Sequence, residues 1–369
     1  MKVLHLIDSG GLYGAEKMLL ALVAEQLRAG LEPMIFSVGE PGCAHKALEA
    51  EARKLNLPLV AWRQASGLRP VESRRILDWA RQQGYQLLHS HGYKFDILLN
   101  LPFQRRGRPP MVATVHGYTA TRWFSRLGLY RLLDHRFLRL AEGVAVVSSP
   151  LQHSFRGHRH LQLIHNGITT GQQRPHNGSG VTPLPEQYLL AIGRLSREKA
   201  LDRLIRAFAR LIADLPPTEP PLKLVIAGDG PERPALEALV AQSALQDRVL
   251  FYGFVPSPAR LIHNARALVI SSVTEGLPLT LLEAMREQTP VVATPVGEIP
   301  VVLEQGRLGF LSASTEWPHL ADALEVFFQQ PDVAAQKTRQ AWRRFHQHYT
   351  AEAMEARYRA FYQGVLDAS

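Results

Sequence analysis

Two glutamates eight positions apart, Glu275 and Glu283, flank a turn and the opening of an expected helix. The run Ala267–Ser272 reads as a strand, Val273-Thr274-Glu275-Gly276-Leu277-Pro278 as the loop after it, and Leu279 as the first helical residue. A helix start exposes unpaired backbone N–H groups and a partial positive charge, which suit a diphosphate. A carboxylate on either side can accept hydrogen bonds from paired hydroxyls, one pair on a sugar and one on a ribose. The spacing alone says little, because Glu32 and Glu40 repeat it without a strand–loop–helix setting and read as surface charges. A second element, Gly193-Arg194-Leu195-Ser196-Arg197-Glu198-Lys199, also follows a strand. Gly193 permits close backbone approach, and Arg194 and Lys199 can reach one anion, neutralising charge on a departing diphosphate. Gly228-Asp229-Gly230-Pro231 is a tight turn, and Gly253-Phe254-Val255 could offer main-chain groups to a base.

The first half carries fewer such groups. Asp8-Ser9-Gly10-Gly11 follows the first apolar run and could pack its backbone against phosphates. Thr114-Val115-His116-Gly117 ends another strand, and a lone histidine there is usually a packing residue. His89 and His91 lie on one face of an extended segment at a spacing a metal could use, but no third ligand of matching spacing is evident. Acceptor contact or packing is the expectation for His91, and no metal is expected. No Asp-x-Asp is present either, which argues against a metal-dependent sugar transferase.

These groups need a scaffold that brings strand ends together. Short apolar runs alternate with helical periodicity from Val3 to Val147 and again from Tyr188 to Thr294, the pattern of parallel sheets covered on both faces. The polar, Pro/Gly-rich stretch at 169–185 separates them. The expectation is therefore an α/β protein with two doubly wound Rossmann-like domains facing an interdomain cleft. The first spans 1–168, 169–185 is a linker, and the second spans 186–349, with a helix at about 350–369 packing back on the first. Ligands in such sheets bind beyond the carboxyl ends of the strands.

Lysine plus arginine number 42 against 33 acids. Eight arginines (105, 106, 108, 122, 126, 131, 136, 139) crowd one stretch with a single acid, Asp134, and with Trp123, Phe124 and Tyr130 between them. Such a patch attracts anionic lipid, a phosphorylated substrate or nucleic acid, unless it is simply a solvated face. Arg105, Arg106, Arg108, Arg122, Trp123 and Arg126 join His91 as acceptor or membrane candidates. The N-terminal apolar run reads as a buried strand and not as a secretory signal, no run is long enough to span a bilayer, and the single cysteine, Cys43, suits a reducing compartment. A cytoplasmic protein is expected.

Taken in order and spacing, the chain resembles the retaining glycosyltransferases of family four, which have the GT-B fold. Glu275 to Glu283 resembles that family's Glu-x7-Glu motif, Gly193-Arg194-Leu195…Lys199 its diphosphate loop, and Gly228-Asp229-Gly230-Pro231 its glycine turn. Gly10-Gly11, Asn166-Gly167-Ile168 and Val296-Gly297 extend the likeness along nearly the whole chain. The resemblance implies transfer of a hexose-type sugar from a nucleotide diphosphate sugar, with retention and without a metal; the basic, aromatic-containing segment fits a glycan or lipid-linked acceptor at the inner face of the cytoplasmic membrane. The resemblance also implies that Arg194 and Lys199 bind the diphosphate together with the backbone of Leu279 and Thr280, that Glu283 takes the ribose and Glu275 the sugar, and that His116 contacts that sugar. Gly10, Gly11, Gly193, Gly228, Gly253, Phe254, Val255, Gly276, Leu277 and Pro278 complete the donor-binding set. Two positions depart from the family pattern: Ala200 where glycine is usual, and Glu298 where a second glycine is common. A nucleotide-sugar epimerase of the same architecture and a non-enzymatic basic protein binding membrane or nucleic acid are the rival readings.

Overall fold

Apolar runs flanked by helical segments are buried on both faces and build parallel strands, because only a sheet covered on each side shields them from water. In the computed structural model, which describes residues 1–8, 11–12, 14–116, 133–171, 183–216 and 220–368, the chain divides into two units. The first comprises Met1–Thr169 and Thr350–Ser369, the second Thr170–Tyr349. The first unit holds β1 (Lys2–Ile7), β2 (Glu32–Gly39), β3 (Leu59–Arg63), β4 (Leu87–Ser90), β5 (Met111–Val115), β6 (Gly143–Val146) and β7 (Leu161–Leu163), in the order β3-β2-β1-β4-β5-β6-β7. All of its strand pairs are parallel.

The second unit repeats the plan with β8 (Tyr188–Ile192), β9 (Lys223–Ala227), β10 (Val249–Gly253), β11 (Ala267–Ile270), β12 (Val291–Ala293) and β13 (Phe310–Leu311). Their order is β10-β9-β8-β11-β12-β13, again all parallel. Each sheet thus reverses its winding once, between β1 and β4 in the first unit and between β8 and β11 in the second. Loops leaving the two central strands at such a point diverge and leave room for a ligand.

The C-terminal helix Ala351–Asp367 belongs to the first unit, where Met354, Tyr358, Phe361, Tyr362 and Val365 pack with Val3, Met18, Leu87, Val112 and Ala145. Thr350 caps it by accepting the Ala353 N–H at 3.1 Å. Two long helices, Trp317–Gln329 and Pro331–His348, add to the second unit without having been expected from the sequence. The latter buries Ala334, Thr338, Ala341 and Phe345, three of them too small or too polar to mark an apolar stripe.

One buried acid works against this packing. Asp96, on the helix Tyr93–Leu99 that follows β4, is 3% exposed. Burial first, then the neighbouring Asp134 carboxyl, pushes its pKa well above the usual carboxylate value of 3.8, although the Ser90 hydroxyl opposes them. A raised folded-state pKa means the folded chain keeps a proton that the unfolded chain sheds, so stability falls as pH rises above about 4. Asp96→Asn removes that dependence. Its melting temperature relative to wild type should therefore rise between pH 5 and pH 8, and an equal difference at both pH values would contradict the assignment.

Candidate functional site

In the second unit, the turns leaving adjacent parallel strands are laced together by main-chain bonds. Gly193 N–H donates to Ala227 O at 3.0 Å, Leu195 N–H to Asp229 O at 3.0 Å, and Gly228 N–H to Gly253 O at 2.7 Å. The approach is close enough that a Cβ on Gly228 would lie 1.8 Å from the Gly193 carbonyl oxygen. Gly228 is thus a structural support for the loop after β8. The same loop is tied to the one after β11, because Ser271 Oγ donates to Lys199 O at 2.8 Å and Val273 N–H to Glu198 O at 2.9 Å. Gly297, at φ +57°, lets the β12 loop approach the loop after β11; a Cβ there would sit 2.3 Å from the Glu275 carbonyl oxygen.

On this frame the charged groups converge. Lys199 Nζ donates to Glu275 Oε1 at 2.6 Å, and Ser272 Oγ donates to the same oxygen at 2.6 Å. Gly193, Arg194, Lys199, Ser272, Glu275 and Thr280 line a small recess of about 20 Å³. Arg194 is exposed and its side chain makes no hydrogen bond or ion pair among the described residues, so its guanidinium is available to an anion. Gly276 precedes buried Leu277 and Pro278, and Leu279 and Thr280 open the helix Leu279–Arg286, which carries half-buried Glu283. Gly253 ends β10; Phe254 after it is 75% exposed, and Val255 is partly buried.

Ala200, where the family's usual residue is glycine, takes φ 47° and ψ 45°, the left-handed region, between the turn Arg197–Lys199 and the helix Leu201–Asp214. A Cβ in that conformation costs roughly 1–2 kcal/mol. The departure therefore changes the strain beside Lys199 and leaves the charged groups in place.

The first unit contains an arrangement that sequence spacing did not reveal. His5 on β1 lies opposite His89 on β4, and three imidazoles, those of His5, His89 and His91, bring ligand-type atoms within 4.8 Å of one another. The third imidazole comes from a distant strand, which is why spacing along the chain could not find it. Each of the six ring nitrogens already has a hydrogen-bond partner. His89 bonds Thr114 Oγ1 at 2.7 Å and the Tyr362 hydroxyl at 2.7 Å. His5 bonds Gln26 Oε1 at 2.8 Å and His91 at 3.0 Å, and His91 bonds His116 at 3.3 Å. A metal would have to break these bonds in a core where all three rings are buried.

Burial lowers the pKa of His5 and of His116 to about 4 and holds those of His89 and His91 well below 6.5. Neutral rings each have one donor and one acceptor, so the chain has a direction. The Tyr362 hydroxyl, 2.7 Å from His89 Nδ1, accepts from Gln26 Nε2 at 3.4 Å. This turns Gln26 Oε1 toward His5, which must donate from Nε2 and accept at Nδ1. His91 donates Nε2–H to His5 and accepts from His116 Nε2–H. His116 Nδ1 is left as a bare acceptor, buried and without a partner among the described residues. His91, a candidate acceptor contact from sequence, is instead 6% exposed and positions His116.

The arginine candidates divide. Arg108 is corrected: its side chain is 2% exposed and its guanidinium bonds Glu142 at 2.8 Å, Leu99 O at 3.1 Å and Asn100 Oδ1 at 3.1 Å. It pins the β4–β5 connection and cannot meet a membrane. Arg105 and Arg106 are exposed, the former 3.5 Å from Glu142. Gly10, Arg122, Trp123 and Arg126 lie outside the described residues, and Gly11 is partly buried after β1.

Two parallel doubly wound units and a cation–carboxylate pair on strand-end loops define a class. The chain is a glycosyltransferase of the GT-B type. It belongs to glycosyltransferase family 4: the model described as "Glycosyltransferase Family 4" matches residues 13–172, and "Glycosyl transferases group 1" matches 174–347. The chain is 26% identical over 307 residues to the N-acetyl-alpha-D-glucosaminyl L-malate synthase of Bacillus anthracis, covering 79% of this chain and 78% of that protein. It is also 26% identical to the lipopolysaccharide core biosynthesis mannosyltransferase LpcC of Rhizobium leguminosarum bv. viciae, covering 96% and 94%. Among solved structures, Anabaena Alr3699/HepE in complex with UDP superposes with a TM-score of 0.80 at 20% identity, over 99% of this chain and 100% of that one. Among the described residues, no helix is long and apolar enough to cross a membrane.

Two outcomes test this geometry. Ala200→Gly should stabilise the protein by roughly 1 kcal/mol in denaturant unfolding, the left-handed penalty less the added chain entropy; destabilisation would contradict the φ assigned to Ala200. In ¹⁵N-histidine-labelled protein, His116 should be protonated at Nε2, and Tyr362→Phe should release Gln26 to turn and mix the two tautomers. An Nδ1-protonated His116 in wild type would reverse the direction of the chain.

Proposed function

We propose that this glycosyltransferase moves a hexose-type sugar from a nucleotide diphosphate sugar, retaining anomeric configuration and using no metal ion. The Lys199–Glu275 contact, held on a loop beside the start of the helix Leu279–Arg286, is the observation that carries the reading. An incoming diphosphate draws the Lys199 ammonium toward itself and frees Glu275 to accept hydroxyl hydrogens of the transferred sugar. Arg194 and the N–H groups of Leu279 and Thr280 share the phosphate charge, and Glu283 accepts from the ribose. Exposed Phe254 offers a ring face to the base.

As the anomeric C–O bond breaks, its electron pair goes to the diphosphate oxygen. Fixed cations and N–H dipoles aimed there stabilise that charge more in the transition state than in the bound donor. The acceptor hydroxyl attacks from the same face, and its proton passes to the departing phosphate, so no side chain need act as covalent nucleophile. His116 Nδ1 accepts from a substrate hydroxyl.

Support for the donor class comes from the UDP complex of the Anabaena protein, and for a glycolipid or polysaccharide acceptor from the lipopolysaccharide mannosyltransferase. With net charge +9, the chain suits an anionic membrane surface, and we place it peripherally at the inner face of the cytoplasmic membrane.

Thermal-shift measurements with UDP, GDP, ADP and their sugars test this. One nucleotide series should stabilise wild type, with the shift lost in Lys199→Ala and Glu283→Ala. Turnover in Lys199→Ala should fall on the order of 10²–10³-fold, as when one transition-state donor is removed. Undiminished turnover in that variant would sink the site assignment.

A further inference from the structure

A concavity of about 650 Å³ lies in the first unit at the amino ends of β6 and β7, the opposite sheet edge from His116, which follows β5. Arg105, Arg139, Arg156 and Arg159 line it together with His158, His160 and a single acid, Glu142. That acid is already engaged: Arg108 Nη1 lies 2.8 Å from it, Arg105 3.5 Å, and the Met111 N–H donates to it at 2.9 Å. Arg139, Arg156 and Arg159 are exposed and have no side-chain hydrogen bond or ion pair among the described residues. Three arginines therefore line one concavity without a paired acid among the described residues.

The wall that carries two of them is fixed. His158 Nε2 donates to Ala141 O at 3.1 Å, and His158 Nδ1 accepts the His160 N–H at 3.2 Å, so the ring is neutral and ties the turn between Arg156 and Arg159 to the strand entrance. Phe155 and Val365, both buried, supply an apolar floor. Guanidinium forks carried on that fixed turn, above an apolar floor, match phosphate oxygens attached to a carbon body. The volume lies in the range of small-molecule sites and far exceeds one inorganic anion.

We propose that this concavity binds a phosphate-bearing ligand through Arg139, Arg156 and Arg159, at a site separate from the sugar-transfer groups. The ligand chemistry is a phosphate ester with an apolar portion, supplied either by a soluble phosphorylated compound or by a phospholipid headgroup.

The test uses inorganic pyrophosphate as probe and Lys199→Ala as background, so that the loop after β8 does not compete for it. Calorimetry should detect pyrophosphate binding that weakens at least tenfold when Arg139→Gln, Arg156→Gln and Arg159→Gln are added together. All three side chains are exposed, so the melting temperature should not change. No binding to the Lys199→Ala protein, or binding indifferent to the three substitutions, would overturn the proposal. Vesicles of phosphatidylglycerol distinguish the sources. Vesicle binding lost in the triple variant and displaced by pyrophosphate assigns a headgroup; pyrophosphate binding without vesicle binding assigns a soluble ligand. Neither readout involves a nucleotide or turnover, so the result is independent of the donor assignment.

Discussion

Each unit is organised by one topological constraint: a parallel sheet must cross over to add a strand, and its crossovers change side only once. At β1/β4 and at β8/β11 the outgoing loops part, and there the chain can place polar groups over strand ends without disturbing either helical layer. His91 and Asp8 stand at the first point, Gly193 to Lys199 and Ser271 to Glu275 at the second. The sharp turns these loops need explain the glycines. Gly228 has no side chain because the neighbouring carbonyl of Gly193 already occupies the space where a Cβ would be.

The two units solve the problem of buried polarity differently. In the second, an ion pair is held at the mouth of a recess, where a ligand can take over one partner. In the first, four imidazoles pass hydrogen bonds inward to Gln26 and Tyr362. Leaving any of those groups unpaired in the core would cost about 1–3 kcal/mol, so the network is satisfied almost throughout. The exception is His116 Nδ1, the one nitrogen of the four rings without a partner among the described residues. Because Tyr362 sits on the C-terminal helix, the protonation of His116 depends on a segment nearly 250 residues further along the chain, a separation read from the two residue numbers.

Much of the second unit was legible because its chemistry is local. Glu275 and Glu283, or Arg194 and Lys199, share one loop and helix, so their order along the chain carries the information. The first unit was less so. His5, His89, His91 and His116 come from two strands and two strand-end loops, and nothing in the spacing of His89 and His91 points to His5. Arg108 was misread for a related reason. Composition places it among exposed arginines, whereas Glu142, more than thirty residues on, draws it inside. The strand Phe310–Leu311 is too short to show a period, and the helix Pro331–His348 hides its inward face behind alanine and threonine. Pattern reading finds faces marked by large apolar side chains and passes over those made by small ones.

Two positions at odds with local preference lie beside the chemistry. Ala200 is held left-handed immediately after Lys199, and Asp96 is buried next to the turn that carries His91. Neither the left-handed conformation nor the buried carboxyl would persist there unless neighbouring elements imposed it. For Ala200 the cause is visible. The turn Arg197–Lys199 must end and the helix Leu201–Asp214 must begin within one residue if the Lys199 carbonyl is to accept from Ser271 while its ammonium reaches Glu275. Glycine would meet that requirement without strain, so the left-handed bend belongs to the geometry of the loop and not to the residue that happens to occupy it.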